Sequence, residues 1–140
     1  MPTTYDNNNI FAKILREEAP CIKIFEDQHS LAFMDVMPQT VGHTLVISKQ
    51  AACTLFDLSD ESALACLKTA RRVAKAVQKA MQVKGSTVFQ HNGKEAGQTV
   101  PHFHIHVLPG SLFGIKGHAA EFADPEQLSI TAEKIIACLE

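Results

Sequence analysis

The chain lacks a Cys-x-x-Cys pair: its four cysteines, Cys21, Cys53, Cys66 and Cys138, lie scattered along the sequence. That absence removes the spacing expected of a thiolate metal site or a dithiol redox centre. Three of the four sit in apolar surroundings suited to small buried thiols, so all are read as reduced and structural. Basic excess is missing too, with 13 lysines and arginines against 15 acidic residues and a net charge of −2. No positive field of the kind that nucleic acid or an anionic membrane attracts is available, and any anionic ligand has to be held by local groups. Met1 to Asn9 is polar, without a charged segment leading into an apolar one, and no run approaches the roughly 20 apolar residues of a spanning helix. The expectation is a cytoplasmic protein with no membrane or nucleic-acid partner. Repeats and low-complexity segments are absent as well. What is present is a 140-residue chain that is 46% hydrophobic, enough for one domain that buries about two thirds of the surface its unfolded form exposes.

The hydrophobic pattern divides the chain into alternating elements. Asn9 to Glu18 has Ile10, Phe11, Ile14 and Leu15 at helical spacing behind a cap at Asn9, and it stops before Pro20. Short β-type runs follow at Cys21 to Phe25, Leu31 to Val36 and Thr44 to Ser48, the first two separated by the polar turn 26–30. From Ser59 the period changes to that of a helix, carried by Leu64, Leu67, Ala70, Ala74, Val77 and Met81. With Gly85 past its end, this helix spans about 23 residues. Ser86 to Gln90 returns to strand, 91–101 is a polar loop, 102–108 is strand again, and Asp124 or Pro125 to Leu139 forms a terminal helix. The class is α+β around one antiparallel sheet of about five strands, with a core near 9–109 and an extension over 110–140.

One segment restricts the chemistry more than any other. Residues 102 to 108 read His-Phe-His-Ile-His-Val-Leu, and in an extended strand successive side chains point to opposite faces. His102, His104 and His106 therefore share one face, about 7 Å apart from one to the next, while Phe103, Ile105 and Val107 pack on the other. A helix cannot place residues two apart on one face. Imidazole near neutral pH is a nucleophile and a proton carrier, and crowded imidazoles disfavour one another's protonation, so at least one stays free to attack.

For an isolated His-x-His pair on a strand, metal ligation and a structural role carry about even weight. Here the nearby loop offers Asn92, Gln98 and Thr99, which suit an oxyanion better than they suit zinc. The expectation is therefore no metal and no cofactor. Taken one at a time, Asn92-Gly93 reads as a turn, Gly97 and Thr99 as loop, Asp35 as a solvated strand end and Ile22, Phe33 and Val36 as core. His29, His91 and His118 receive no role.

The histidine row, preceded by Asn92-Gly93 and Gly97-Gln98-Thr99-Val100, resembles the histidine-triad family of nucleotide hydrolases and transferases. The likeness extends to Leu31-Ala32-Phe33-Met34-Asp35-Val36, Pro38-Gln39 and Gly42-His43-Thr44-Leu45-Val46-Ile47, in the family's order. It implies a homodimer whose two sheets join into one of ten strands, and it is closest to the nucleoside phosphoramidase branch. It further implies that His104 attacks the α-phosphorus, that His106 contacts phosphate and leaving group, that His102 orients the nucleophile, and that His43 lies against the phosphate. Asn92, Gly97, Gln98 and Thr99 would bind phosphate, while Asp35 would hold the ribose between Ile22, Phe33 and Val36. The implied reaction is hydrolysis of a purine nucleoside phosphoramidate, or a related nucleotide substituted on its α-phosphate, through a nucleotidyl-histidine. Rival readings are hydrolysis of dinucleoside polyphosphates, a nucleotide-binding interaction module with incidental turnover, and a metal-binding protein that uses the histidine face. Ala63, Ala70 and Ala74 offer a small-residue stripe that would fit a dimer contact. Three departures stand out: Thr99 where serine is usual, Asn9-Ile10-Phe11-Ala12 where many bacterial members carry a zinc-binding Cys-x-x-Cys, and the extension past residue 110, which could shape the leaving-group side of the pocket.

Overall fold

A computed structural model describes residues 4–114 and 121–140; His118 lies outside them. Five strands, β1 (Lys23–Glu26), β2 (Ser30–Met34), β3 (Thr44–Ser48), β4 (Ser86–Gln90) and β5 (His104–Pro109), form one antiparallel sheet in the order β1-β2-β3-β5-β4. Three helices, α1 (Ile10–Leu15), α2 (Asp60–Ala80) and α3 (Pro125–Ala137), complete the α+β arrangement.

Register sorts the side chains into two layers. Ala32 pairs with Val46 and Val46 with Ile105, so these residues face one way. With Met34, Phe103 and Val107 they close against Cys66, Ala70, Val73 and Val77 of α2 and Leu128, Ala132 and Ile135 of α3. Each Val, Leu, Ile, Phe or Met side chain among them contributes about 1.5–3 kcal/mol by leaving water. On the opposite face Leu31 pairs with Ile47 and Ile47 with His104, while Phe33 pairs with Leu45 and Leu45 with His106. Here a smaller cluster of Leu31, Phe33, Leu45 and Ile47 is capped by Phe11 of the short helix α1.

Helix starts follow the sequence, and the end of α1 does not. Asn9 Oδ1 accepts from the amide of Ala12, Ser59 Oγ from Ser62 and Asp124 Oδ1 from Glu126, each satisfying an end donor that the helix cannot. However, α1 stops at Leu15, short of Glu18, because Glu17 turns left-handed at φ 62°, while α2 ends at Ala80 beside the expected Met81, with Gln82 left-handed at φ 57°. In both cases the amide of the next residue closes back on the last turn, Glu18 to the carbonyl of Lys13 and Val83 to that of Gln78, a termination that usually recruits glycine. Two other expectations change. Within the extension beyond residue 110, helix α3 is part of the main core, on the face away from the histidines. Of the alanine stripe, Ala70 is 1% exposed against the sheet and Ala63 and Ala74 are half-buried, while Leu64 and Leu67 are 66% and 58% exposed. None of the four cysteines is in a disulfide, and Cys53 and Cys66 are buried.

Candidate active site

β5 begins at His104, one residue after Phe103 leaves the loop, so His102 stands just outside the ladder. All three histidines nonetheless lie on the α1 side of the sheet: Phe11 meets the rings of His102 and His104 edge to face, at 6.2 and 4.9 Å between centroids. The His104 and His106 rings tilt toward one another, with centroids at 4.9 Å, closer than the strand rise alone would place them. His106 is held from the other side by Phe89 of β4, stacked at 4.4 Å and 5°. His43, immediately before β3, joins the row as a fourth imidazole. Its approach depends on Gly42 at φ 98°, where a Cβ would stand 3.0 Å from Met81 and 3.2 Å from Pro109.

Backbone partners fix the protons, because a carbonyl only accepts and an amide only donates. The Nδ1–H of His104 donates to the carbonyl of His102 at 2.6 Å, which leaves Nε2 as a bare lone pair. Burial and the neighbouring His102 and His91 weigh against an imidazolium at His104, although the His102 carbonyl favours it; burial dominates, and the pKa falls to about 4. His104 is therefore neutral throughout the physiological range. His43 accepts at Nδ1 from the amide of Gln39 at 3.1 Å, so its proton sits on Nε2, 2.9 Å from Nδ1 of His106. His106, accepting there, carries its own proton on Nε2. Burial likewise drives His43 down to about 4. His102 donates from Nε2 to the Ser48 carbonyl at 2.8 Å, and burial lowers its pKa as well.

The loop between β4 and β5 is built by its own polar groups. Gln98 accepts at Oε1 from the amide of Gly93 and donates from Nε2 to the carbonyls of Cys53 and Val100. The amide of Gly97 closes on Lys94 and that of Gln98 on Gly93. Both amides expected to meet phosphate are engaged within the turn, with Gly97 left-handed at φ 104°. Asn92 Oδ1 accepts from Leu55 N and Gln90 Nε2. Thr99 is exposed at the rim.

Asp35 follows β2 and is far from a solvated strand end. Its side chain is 18% exposed, with Oδ2 at 3.5 Å from His43 Nε2 and Oδ1 accepting from the amide of Met37 at 2.8 Å. Burial pushes its pKa up to about 6. The three expected base-wall residues are not gathered together: Phe33 lies with Phe11 on the histidine face, Ile22 packs against the α2 cluster, and Val36 is 46% exposed. The carbonyl of Ile22 accepts from the amide of Met34 at 3.0 Å, so the two residues face the helices together, and Ile14 occupies the histidine-side cluster instead. One oxygen of Asp35 and one nitrogen each of His43 and His106 lie within 4.8 Å of one another, a donor set that could hold a divalent cation, with the two nitrogens already in hydrogen-bond contact.

A row of imidazoles with backbone-assigned protons, on a five-stranded sheet behind a glycine-bearing loop, agrees with the family description of a HIT domain, whose model matches residues 16–112. The chain belongs to the HIT domain family. Within it, a crystallised Hit-like protein from Bartonella henselae, described as involved in cell-cycle regulation, is similar with TM-score 0.88 and 44% identity, covering 97% of this chain and 100% of its own. The adenosine 5'-monophosphoramidase HNT1 of Saccharomyces cerevisiae is 37% identical over 99% of this chain and 87% of its own length. Protein hit of Bacillus subtilis is 36% identical over 91% and 92%. Where many bacterial HIT proteins carry Cys-x-x-Cys, this one has Asn9 and Ala12 joined by the cap hydrogen bond of 2.9 Å.

Sequence reasoning passed over three residues that touch the histidines. Phe11 was visible only as an apolar helix position and Phe89 only as a strand residue. Tyr5, whose hydroxyl lies 2.5 Å from His102 Nδ1, falls in a polar stretch that gave no signal. His91 sits edge to face against His106, with centroids at 5.7 Å, while His29 stays remote, 3.5 Å from Glu61.

Proposed function

We propose that this protein hydrolyses purine nucleoside phosphoramidates, or related nucleotides substituted on the α-phosphate, through a nucleotidyl intermediate on His104. The observation that carries the reading is the 2.6 Å bond from His104 Nδ1 to the His102 carbonyl, which leaves Nε2 unprotonated on a ring clamped between Phe11 and His106. The yeast relative, an adenosine 5'-monophosphoramidase, supports the same substrate class. Nε2 attacks phosphorus, the phosphorus–nitrogen bond breaks, and the amine leaves with a proton taken from solvent. As the phosphorylated imidazole becomes cationic, the His102 carbonyl accepts its Nδ1–H and stabilises that charge. His106 donates from Nε2 to the phosphate and leaving group, its orientation set by His43. Water then attacks phosphorus, the bond to Nε2 breaks, and a nucleoside monophosphate departs, so that one hard displacement becomes two easier ones. No step in this scheme needs a metal.

Thr99 and Asn92 at the loop rim hold phosphate, Asp35 holds the ribose, and Phe33 with Phe11 and Ile14 replaces the wall expected from Ile22. The working unit is a homodimer joined at the edge strand β4. Val88 there is 45% exposed, and the exposed Leu64 and Leu67 share a face of α2 with Gln78, which is bonded to Ser86 of β4. No helix among the described residues is long and apolar enough to cross a membrane, and a cytoplasmic setting belongs to the same reading. The test is to mix protein with adenosine phosphoramidate, quench in acid or base, and sequence the peptides by mass spectrometry. A nucleotidyl mass on His104 is expected. Turnover without any adduct, and undiminished in His104→Asn, overturns the reading.

A further inference from the structure

We propose that Tyr5 is a positioning residue for the nucleophile: its hydroxyl, donating to Nδ1 of His102, locks the imidazole whose backbone carbonyl aims His104. The inference rests on the reading of His104 as nucleophile. Its geometry is independent of that reading.

His102 is 0% exposed. Its Nε2 faces the Ser48 carbonyl at 2.8 Å, an acceptor that obliges Nε2 to carry the proton. Nδ1 is then a bare acceptor in an apolar setting, beside the ring of Phe11, and a buried acceptor left unmade is costly. The group that meets it is the phenol of Tyr5, at 2.5 Å, with ring centroids 5.6 Å apart. A neutral phenol donates there, and Tyr5 holds its proton because burial raises its pKa. Both nitrogens of His102 are thus committed, one to β3 and one to the N-terminal segment, and the ring has a single tautomer and a single orientation. The same residue's carbonyl receives Nδ1–H of His104 at 2.6 Å. A change in the His102 ring therefore reaches the nucleophile through one peptide unit.

The N-terminal segment is tied down where this needs it. Asn9 donates to the carbonyl of Asp6, Arg16 donates to that of Asn7 at 2.8 Å, and Phe11 two residues beyond the cap lies against His104. The groups around His102 are accordingly Tyr5, Ser48, Phe11 and its own strand neighbours. The titratable neighbour on the strand is His104, and among the described residues no other side chain hydrogen-bonds Nδ1.

Without the phenol, Nδ1 gains basicity, since a donor to the lone pair favours the neutral ring. A cationic His102 next to His104 disfavours the charge that develops during attack. Tyr5→Phe, which keeps the ring, is expected to lower kcat about 10-fold, the scale of one lost buried hydrogen bond. KM for adenosine phosphoramidate should be unchanged, because Tyr5 touches no substrate, and the acidic limb of kcat should move to higher pH. Nitrogen-15 NMR of the histidines supplies the measurement that does not depend on turnover. At neutral pH the wild-type protein should show His102 Nδ1 as an unprotonated nitrogen and Nε2 as a protonated one, with both shifts changed in Tyr5→Phe. A protonated Nδ1 in the wild type, or a folded Tyr5→Phe with unaltered His102 shifts and kcat within twofold, overturns the proposal. If His104→Asn keeps its activity while the shifts respond as expected, the nucleophile reading has failed and the tyrosine lock has not.

Discussion

The two faces of the sheet are made by alternate residues of the same strands, yet they do opposite work. In β5, Ile105 and Val107 close against α2 and α3, and His104 and His106 turn toward α1. The first face is covered by helices of 21 and 13 residues and the second by one of 6. A short cover leaves room for a ligand and supplies few apolar neighbours, so polar groups on that face must satisfy one another. They do so in two chains of hydrogen bonds. One runs from Tyr5 through His102 to His104, the other from Gln39 through His43 to His106. Stability and chemistry are thereby separated by a single residue step along the chain.

That separation is best broken at adjacent positions. His104→Ala should cost at least about 10⁴-fold in turnover, as removal of a covalent nucleophile does, while the melting temperature stays near that of the wild type; a steady-state assay beside thermal unfolding checks both. Ile105→Ala, one residue on, should do the reverse. It removes side-chain volume 6% exposed in the main cluster, costs about 2–5 kcal/mol in denaturant unfolding, and leaves kcat of the folded fraction within a few fold. Equal damage to both properties by either variant would show that the faces are not independent. Within the chemical face, His43→Ala should lower kcat about 10²-fold by freeing the proton arrangement of His106, whereas His29→Ala, in a remote turn, should leave it unchanged.

Acid sharpens the comparison further. His43 and His104, held near pKa 4 when folded, return to about 6.5 when unfolded, so the unfolded chain binds more protons in between. Their contribution is complete above pH 6.5 and is lost as pH falls toward 4. Asp35, raised to about 6, works the other way, favouring the folded state as pH drops below 6. The melting temperature should fall by several degrees between pH 7 and pH 5, and more steeply in Asp35→Asn, which removes the opposing group. A scan flat over that interval would place the histidines in contact with water.

Local patterns were legible because they depend on neighbours in sequence. The strand period of β5 and the helix starts at Asn9, Ser59 and Asp124 followed from residue type. The end of α1 was not legible because Glu17 adopts a left-handed conformation without glycine. Ile22, set beside Phe33 by the family resemblance, lies opposite Met34 and packs with it against α2, a pairing between strands that no local pattern contains. The loop amides of Gly97 and Gln98 looked available for phosphate, although the Gln98 side chain and turn closure had already engaged the loop.

The sequence alone determined the strand-borne histidine row, the order of helices and strands, and the family likeness, since each is written in residue spacing that the backbone period converts directly into a face. Tertiary structure alone decided which nitrogen carries each proton. Tautomers are chosen by partners far away in sequence, Ser48 for His102 and Gln39 for His43, and the contact between Tyr5 and His102 spans 97 positions, a distance over which no local pattern persists.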